Sequence, residues 1–131
     1  MNDAKLYSCS GKIEYRGTWI ICAVSQTIME YYHAMAKKHL HLPKLNKPYN
    51  AAHITVVAGK YEDLTTHSRW KLHQGREINI AYNSFLTEMG GYFWLEVVSP
   101  ELTEIRRELG LTDIPKHPFH ITIGNLKNVE A

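Results

Sequence analysis

AAHITVVAG, residues 51–59, and PFHITIGNL, residues 118–126, write His-Ile-Thr ahead of an aliphatic residue twice in one chain. In a β-strand, side chains at i and i+2 share a face and stand roughly 6.5 Å apart. His53 and Thr55 therefore point one way while Ile54 and Val56 point the other. His120 and Thr122 stand against Ile121 and Ile123 in the same manner. One face of each strand is apolar and suited to a core; the other carries an imidazole and a hydroxyl.

Working outward from these strands, the flanking sequence repeats too. Residues 17–30 read GTWIICAVSQTIME and residues 91–104 read GYFWLEVVSPELTE. Without a gap, Gly17 aligns with Gly91, Trp19 with Phe93, Val24 and Ser25 with Val98 and Ser99, and Glu30 with Glu104. Trp19–Val24 and Phe93–Val98 read as β-strands, each ending at a serine suited to cap a helix, with Pro100 favourable at a first helical position. The first helix is expected to bury Ile28, Tyr31, Tyr32 and Met35, with His33 and His39 on its surface or boundary. The second buries Leu102, Ile105 and Leu109 and stops at Gly110. A further strand precedes each copy: Lys12–Tyr15 turns back through Arg16-Gly17, and Ile78–Phe85 turns back near Met89-Gly90-Gly91. The predicted fold is α+β: two pseudo-symmetric β-β-α-β repeats, about residues 12–60 and 78–127, with antiparallel sheets around a central cleft. Ile54, Val56 and their counterparts would pack under the helix of their own repeat.

The chain's 131 residues, 44% of them hydrophobic, suffice for one domain spanning residues 1–131 and are too few for two. No apolar run approaches the ~18 residues of a membrane span, and Met1–Lys5 does not open a signal peptide. With only Cys9 and Cys22 there is no disulfide framework, so a reducing cytoplasmic setting is expected. A formal charge of +2 with eight histidines suits an anionic ligand. His39 with His41 and His117 with His120 lack the cysteine or carboxylate pattern of a zinc site, and Ser25 and Ser99 are accounted for as caps. No metal site and no cofactor are expected.

Related by a pseudo-two-fold axis, the two His/Thr pairs would converge on one cleft, an arrangement suited to a phosphodiester. Cleaving that bond needs a base for the attacking oxygen and an acid for the leaving oxygen on the opposite side of phosphorus. Two imidazoles share that work, and threonine hydroxyls donate to the non-bridging oxygens as their charge rises. The strands HITVV and HITIG resemble the paired H-x-[TS]-x signatures of the 2H phosphoesterase superfamily, over about residues 12–127. The resemblance implies a bilobal fold and metal-free cleavage of nucleotide phosphodiesters, with His53 and His120 as the acid/base pair and Thr55 and Thr122 as phosphate binders. WLEVVSPELTEIRREL and DIPKHPFHITIGN are similar to the phage 2H enzymes that destroy cyclic-oligonucleotide signals of bacterial immunity, the anti-CBASS branch. RNA 2′,3′-cyclic phosphodiesterase, 2′-5′ oligonucleotide phosphodiesterase and a non-catalytic nucleotide sponge are the alternatives. The partner implied is a nucleotide, either a cyclic oligonucleotide or a short RNA, with neither a membrane nor an obligate protein partner.

Other residues are expected to line the cleft. If Phe93, Leu95 and Val97 face the core, Tyr92, Trp94 and Glu96 share the histidine side, the rings to stack on a base and Glu96 to orient a histidine or read a base edge. Cys22 is the gap-free counterpart of Glu96 and reads as a structural cysteine. The polar stretch of residues 60–77, with Arg69 and Trp70, suits a flap closing over a nucleotide; its competing reading is a solvated loop anchored by the tryptophan. Tyr15, at the first hairpin tip, is a further candidate of this kind.

Overall fold

The computed structural model describes residues 6–127. Met1–Lys5, read above for a signal peptide, lie outside them. Six strands and two helices alternate as β1 (Leu6–Arg16), β2 (Trp19–Ala23), α1 (Gln26–His39), β3 (His53–Val57), β4 (Glu77–Met89), β5 (Tyr92–Val98), α2 (Pro100–Glu108) and β6 (His120–Asn125). The unit β-β-α-β thus occurs twice in an α+β fold. All six strands form one antiparallel sheet in the order β3-β2-β1-β4-β5-β6, symmetrical about the β1–β4 pairing. Separate sheets were expected. β1 instead begins well before Lys12, and its extra residues, Leu6 onward, pair with Glu77–Asn83 and join the halves.

Local chemistry explains the elements. Ser25 accepts the Thr27 N–H, and Ser99 accepts the Leu102 N–H with Pro100 following, so both serines cap as predicted. The β4–β5 hairpin turns at Gly90 and Gly91, both at positive φ (59° and 85°), where a side chain would be strained. Ile13, Ile20, Ile54, Val56, Ile78, Leu95, Leu102, Ile105, Ile121 and Ile123 belong to one buried cluster drawing on both repeats.

The helices depart from expectation. α1 buries Met29, His33 and Ala36, while Tyr31 is 58% exposed, so its inward face is turned by about one residue from the one predicted. The sheet curls until its edge strands β3 and β6 lie against each other, so each helix reaches the far half: α1 lies against β6, and α2 against β3 as well as β4 of its own repeat. The expected packing of each helix over its own motif strand is therefore replaced by an exchange.

A matched irregularity anchors this exchange. Along β2–β3 the pairing passes from Ile20–Val57 to Ile21–Thr55, leaving Val56 as an extra residue. Along β5–β6 it passes from Phe93–Gly124 to Trp94–Thr122, leaving Ile123. Each bulge follows the motif threonine and leaves a carbonyl without a ladder partner. A buried carbonyl needs a donor. Arg106 Nη1 of α2 donates to Val56 O at 2.8 Å, and His33 Nδ1 of α1 donates to Ile123 O at 2.9 Å. His33 is consequently 4% exposed rather than on the surface.

Candidate active site

Alternation carries through both motif strands: Ile54, Val56, Ile121 and Ile123 are buried, while His53, Thr55, His120 and Thr122 are half-buried on the opposite face. His53 Nδ1 lies 2.8 Å from Ala51 O, and His120 Nδ1 lies 2.6 Å from Pro118 O. A carbonyl only accepts, so each ring carries its proton on Nδ1 when neutral and holds Nε2 as the free lone pair. In both motifs the orienting carbonyl is two residues before the histidine. Among the described residues, neither Nε2 and neither threonine hydroxyl has a protein partner, and no described buried side-chain nitrogen or oxygen is left unsatisfied. The four groups therefore reach solvent.

Where the strand edges meet, a cleft of about 230 Å³ is lined by His53 from the first motif and Thr122 from the second, with Tyr49, Asn50, Tyr92 and Asn125. His120 lies close enough for its charge to interact with that of His53. Its pKa is lowered, chiefly by burial, against the raising effect of the Pro118 carbonyl, with His117 and His53 adding like-charge repulsion. Near pH 7 His120 is thus held neutral. A larger hollow of about 340 Å³ at the start of α2, beside Pro100, Arg107 and Phe119, is lined by no histidine.

Tyr92, Trp94 and Glu96 stand on the histidine side, as alternation predicts: Trp94 is paired with Thr122, and Glu96 with His120. The Trp94 and His120 ring centroids are 5.8 Å apart. An orienting role for Glu96 does not materialise, because backbone carbonyls occupy both Nδ1 positions. Opposite His53 in β2 stands Ala23, not Cys22, which pairs with Ile54 on the core face. Both copies bulge at the same place, and their paired strands match one residue off the gap-free alignment, with Ala23 in the place of Glu96. Cys22 is fully buried, and burial pushes its thiol up to about 12.

The 60–77 segment does not close over the histidines. It is docked on the helix side, where Trp70 meets Tyr15 edge-on at 5.1 Å, His73 pairs with Glu108 and Arg76 with Glu101. Tyr15 shares the core face with Ile13, and its hydroxyl accepts the His73 N–H. Tyr15 and Trp70 are therefore packing residues here, and Arg69 is exposed on the same docked segment. Their composition suited a flap, but a ring and a cation serve equally as a surface anchor.

Sequence reasoning missed the loop before β3. Leu45 is buried against Gly124, where a Cβ would come within 2.8 Å of the leucine Cγ. Asn46 and Asn125 exchange backbone hydrogen bonds at 2.8 and 3.0 Å. Farther along, the Ala52 N–H is accepted by Gln26 Oε1. These anchors fasten the loop on both sides of Tyr49, which lines the cleft; the glycine in the second motif, absent from the first, was the available signal. Among the described residues, no group of three or more His, Cys, Asp and Glu is placed to hold a metal ion, and no helix is long and apolar enough to cross a membrane. Compared with protein-family models, curated proteins and solved structures, the chain matches none.

Proposed function

We propose that the chain is a 2H-type phosphodiesterase that cleaves nucleotide phosphodiester bonds with a histidine pair and no metal ion, acting on cyclic oligonucleotide signals. The observation carrying this reading is the duplicated tautomer lock: two imidazoles, each tied through Nδ1 to the carbonyl two residues back, each presenting Nε2 beside a free threonine hydroxyl. The bilobal likeness rests on the doubled β-β-α-β order and the matched bulges.

His120 is the base. Its lowered pKa keeps Nε2 unprotonated, ready to take the proton of an attacking hydroxyl or water. As that oxygen bonds to phosphorus and the P–O bond opposite it breaks, His53, acting as the acid, gives an Nε2 proton to the departing oxygen. The threonines donate to the non-bridging oxygens, stabilising the charge that builds there.

The test is an assay in EDTA with cyclic di- and trinucleotides, 2′-5′ oligoadenylate and an RNA ending in a 2′,3′-cyclic phosphate, with products identified by mass spectrometry. Cyclic oligonucleotides should be opened, and His53→Ala and His120→Ala should each slow turnover by about 10²- to 10⁴-fold. Undiminished turnover in both variants would overturn the mechanism. Hydrolysis confined to the RNA end would move the substrate to RNA, and binding without turnover across the panel would make the protein a sequestering module.

A further inference from the structure

On the phosphodiesterase reading, the phosphate lies over His53 and Thr122, and the same cleft has walls that take no part in proton transfer. One wall is Tyr49, from the loop of the first repeat. Another is Tyr92, from β5 of the second. The Tyr49 ring is 100% exposed, so no protein group competes for its faces. The loop that carries it is fastened on both sides, with Leu45 seated on Gly124, Asn46 bridged to Asn125, and Ala52 bonded to Gln26 and to the Val24 N–H. An aromatic face on an anchored loop loses little freedom on binding, which favours stacking. The cleft's size limits what enters: about 230 Å³ is below the roughly 300–1,000 Å³ of pockets for drug-sized ligands. It suits one nucleotide of a larger ring or chain.

Polar groups supply an edge for recognition. Asn125 Oδ1 accepts the Lys127 N–H at 3.1 Å, which leaves the amide NH₂ as its available donor. Lys127 Nζ stands 5.7 Å from the Tyr92 centroid, adding positive charge beside the ring. We infer that Tyr49 and Tyr92 form a base-binding subsite that holds the nucleobase of the nucleotide whose phosphate lies over His53 and Thr122. The ligand class is a nucleoside phosphate, recognised by stacking, with the Asn125 amide donating to an acceptor on the base edge.

The test compares adenosine 5′-monophosphate with ribose 5-phosphate by NMR titration of the whole chain, separating the base from the phosphate. Wild type should bind the nucleotide more tightly than the sugar phosphate. Tyr49→Ala should lose roughly 5- to 150-fold in nucleotide affinity, the range of one stacked base, with sugar-phosphate affinity unchanged. Tyr49→Phe should keep the wild-type preference. Full exposure of Tyr49 means that its truncation removes no packing, and an unchanged melting curve checks this. Equal nucleotide preference in wild type and Tyr49→Ala would overturn the subsite. If neither probe binds while cyclic oligonucleotides are still cleaved, the subsite alone falls; if neither binds and no nucleotide is cleaved, the phosphodiesterase reading falls with it.

Discussion

Replacing Arg106 by Met removes the brace between α2 and the first motif strand. The Arg106 side chain is 0% exposed and donates to Val56 O at 2.8 Å, Thr112 O at 2.7 Å, Thr112 Oγ1 at 3.2 Å and, through two nitrogens, both Glu62 oxygens at 3.1 Å. Methionine fills much of the volume but leaves the Val56 carbonyl and the Glu62 carboxylate behind. Breaking a buried ion pair from one side costs about 3–5 kcal/mol, and an orphaned buried acceptor costs about 1–3. Because Glu62 is partly exposed and can recover water, about 4 kcal/mol in total is expected. With a urea slope of about 2 kcal/mol per molar, the unfolding midpoint falls by about 2 M at unchanged slope. The double variant Arg106→Met/Glu62→Leu should recover part of that loss, since only the carbonyls remain unpaired. A single-variant shift below about 0.5 M, within the extrapolation error of small effects, would refute the bracing argument.

Three further outcomes follow from the geometry. Trp94→Ala should relieve the burial of His120 and raise its pKa; since His120 must be neutral to act as base, the acid limb of kcat/KM, below the ordinary ~6.5 in wild type, should move up toward it in a pH–rate profile. A limb that stays in place would show that the tryptophan does not set the base. Gly124→Val should strike Leu45 and the Asn46 carbonyl, costing about 1–3 kcal/mol in thermal denaturation and weakening adenosine monophosphate binding through the displaced loop. Native Cys22, buried and with its thiol pushed up to about 12, should resist iodoacetamide at pH 8 until denaturant is added, as read by intact mass.

Much of the site was legible because it depends on a period of two. His-Ile-Thr in a strand puts imidazole and hydroxyl on one face wherever that strand lies, and the serines capping both helices follow from local hydrogen bonding. What stayed hidden depends on which distant segments meet. The bulges at Val56 and Ile123 leave no mark in composition, and only the strand register shows that Ala23, not Cys22, is the counterpart of Glu96. His33 and Arg106 look like surface residues on amphipathic helices; only the crossed packing supplies the carbonyls that bury them. The 60–77 segment has charges and a ring suited to either side of the sheet, and its partners on α2 are far away in sequence.

The exchanged helices bear on how such a chain could arise by duplication. A single β-β-α-β unit would send its helix over a strand it does not possess, and its own bulge carbonyl would have no donor within the unit. Two copies of an ancestral half-chain, each lending a helix to its twin, would satisfy both requirements as a swapped homodimer. Fusion of those copies through the segment before β4 would make the exchange intramolecular. The two halves would then be free to diverge, and here one places histidine and the other arginine at the crossing.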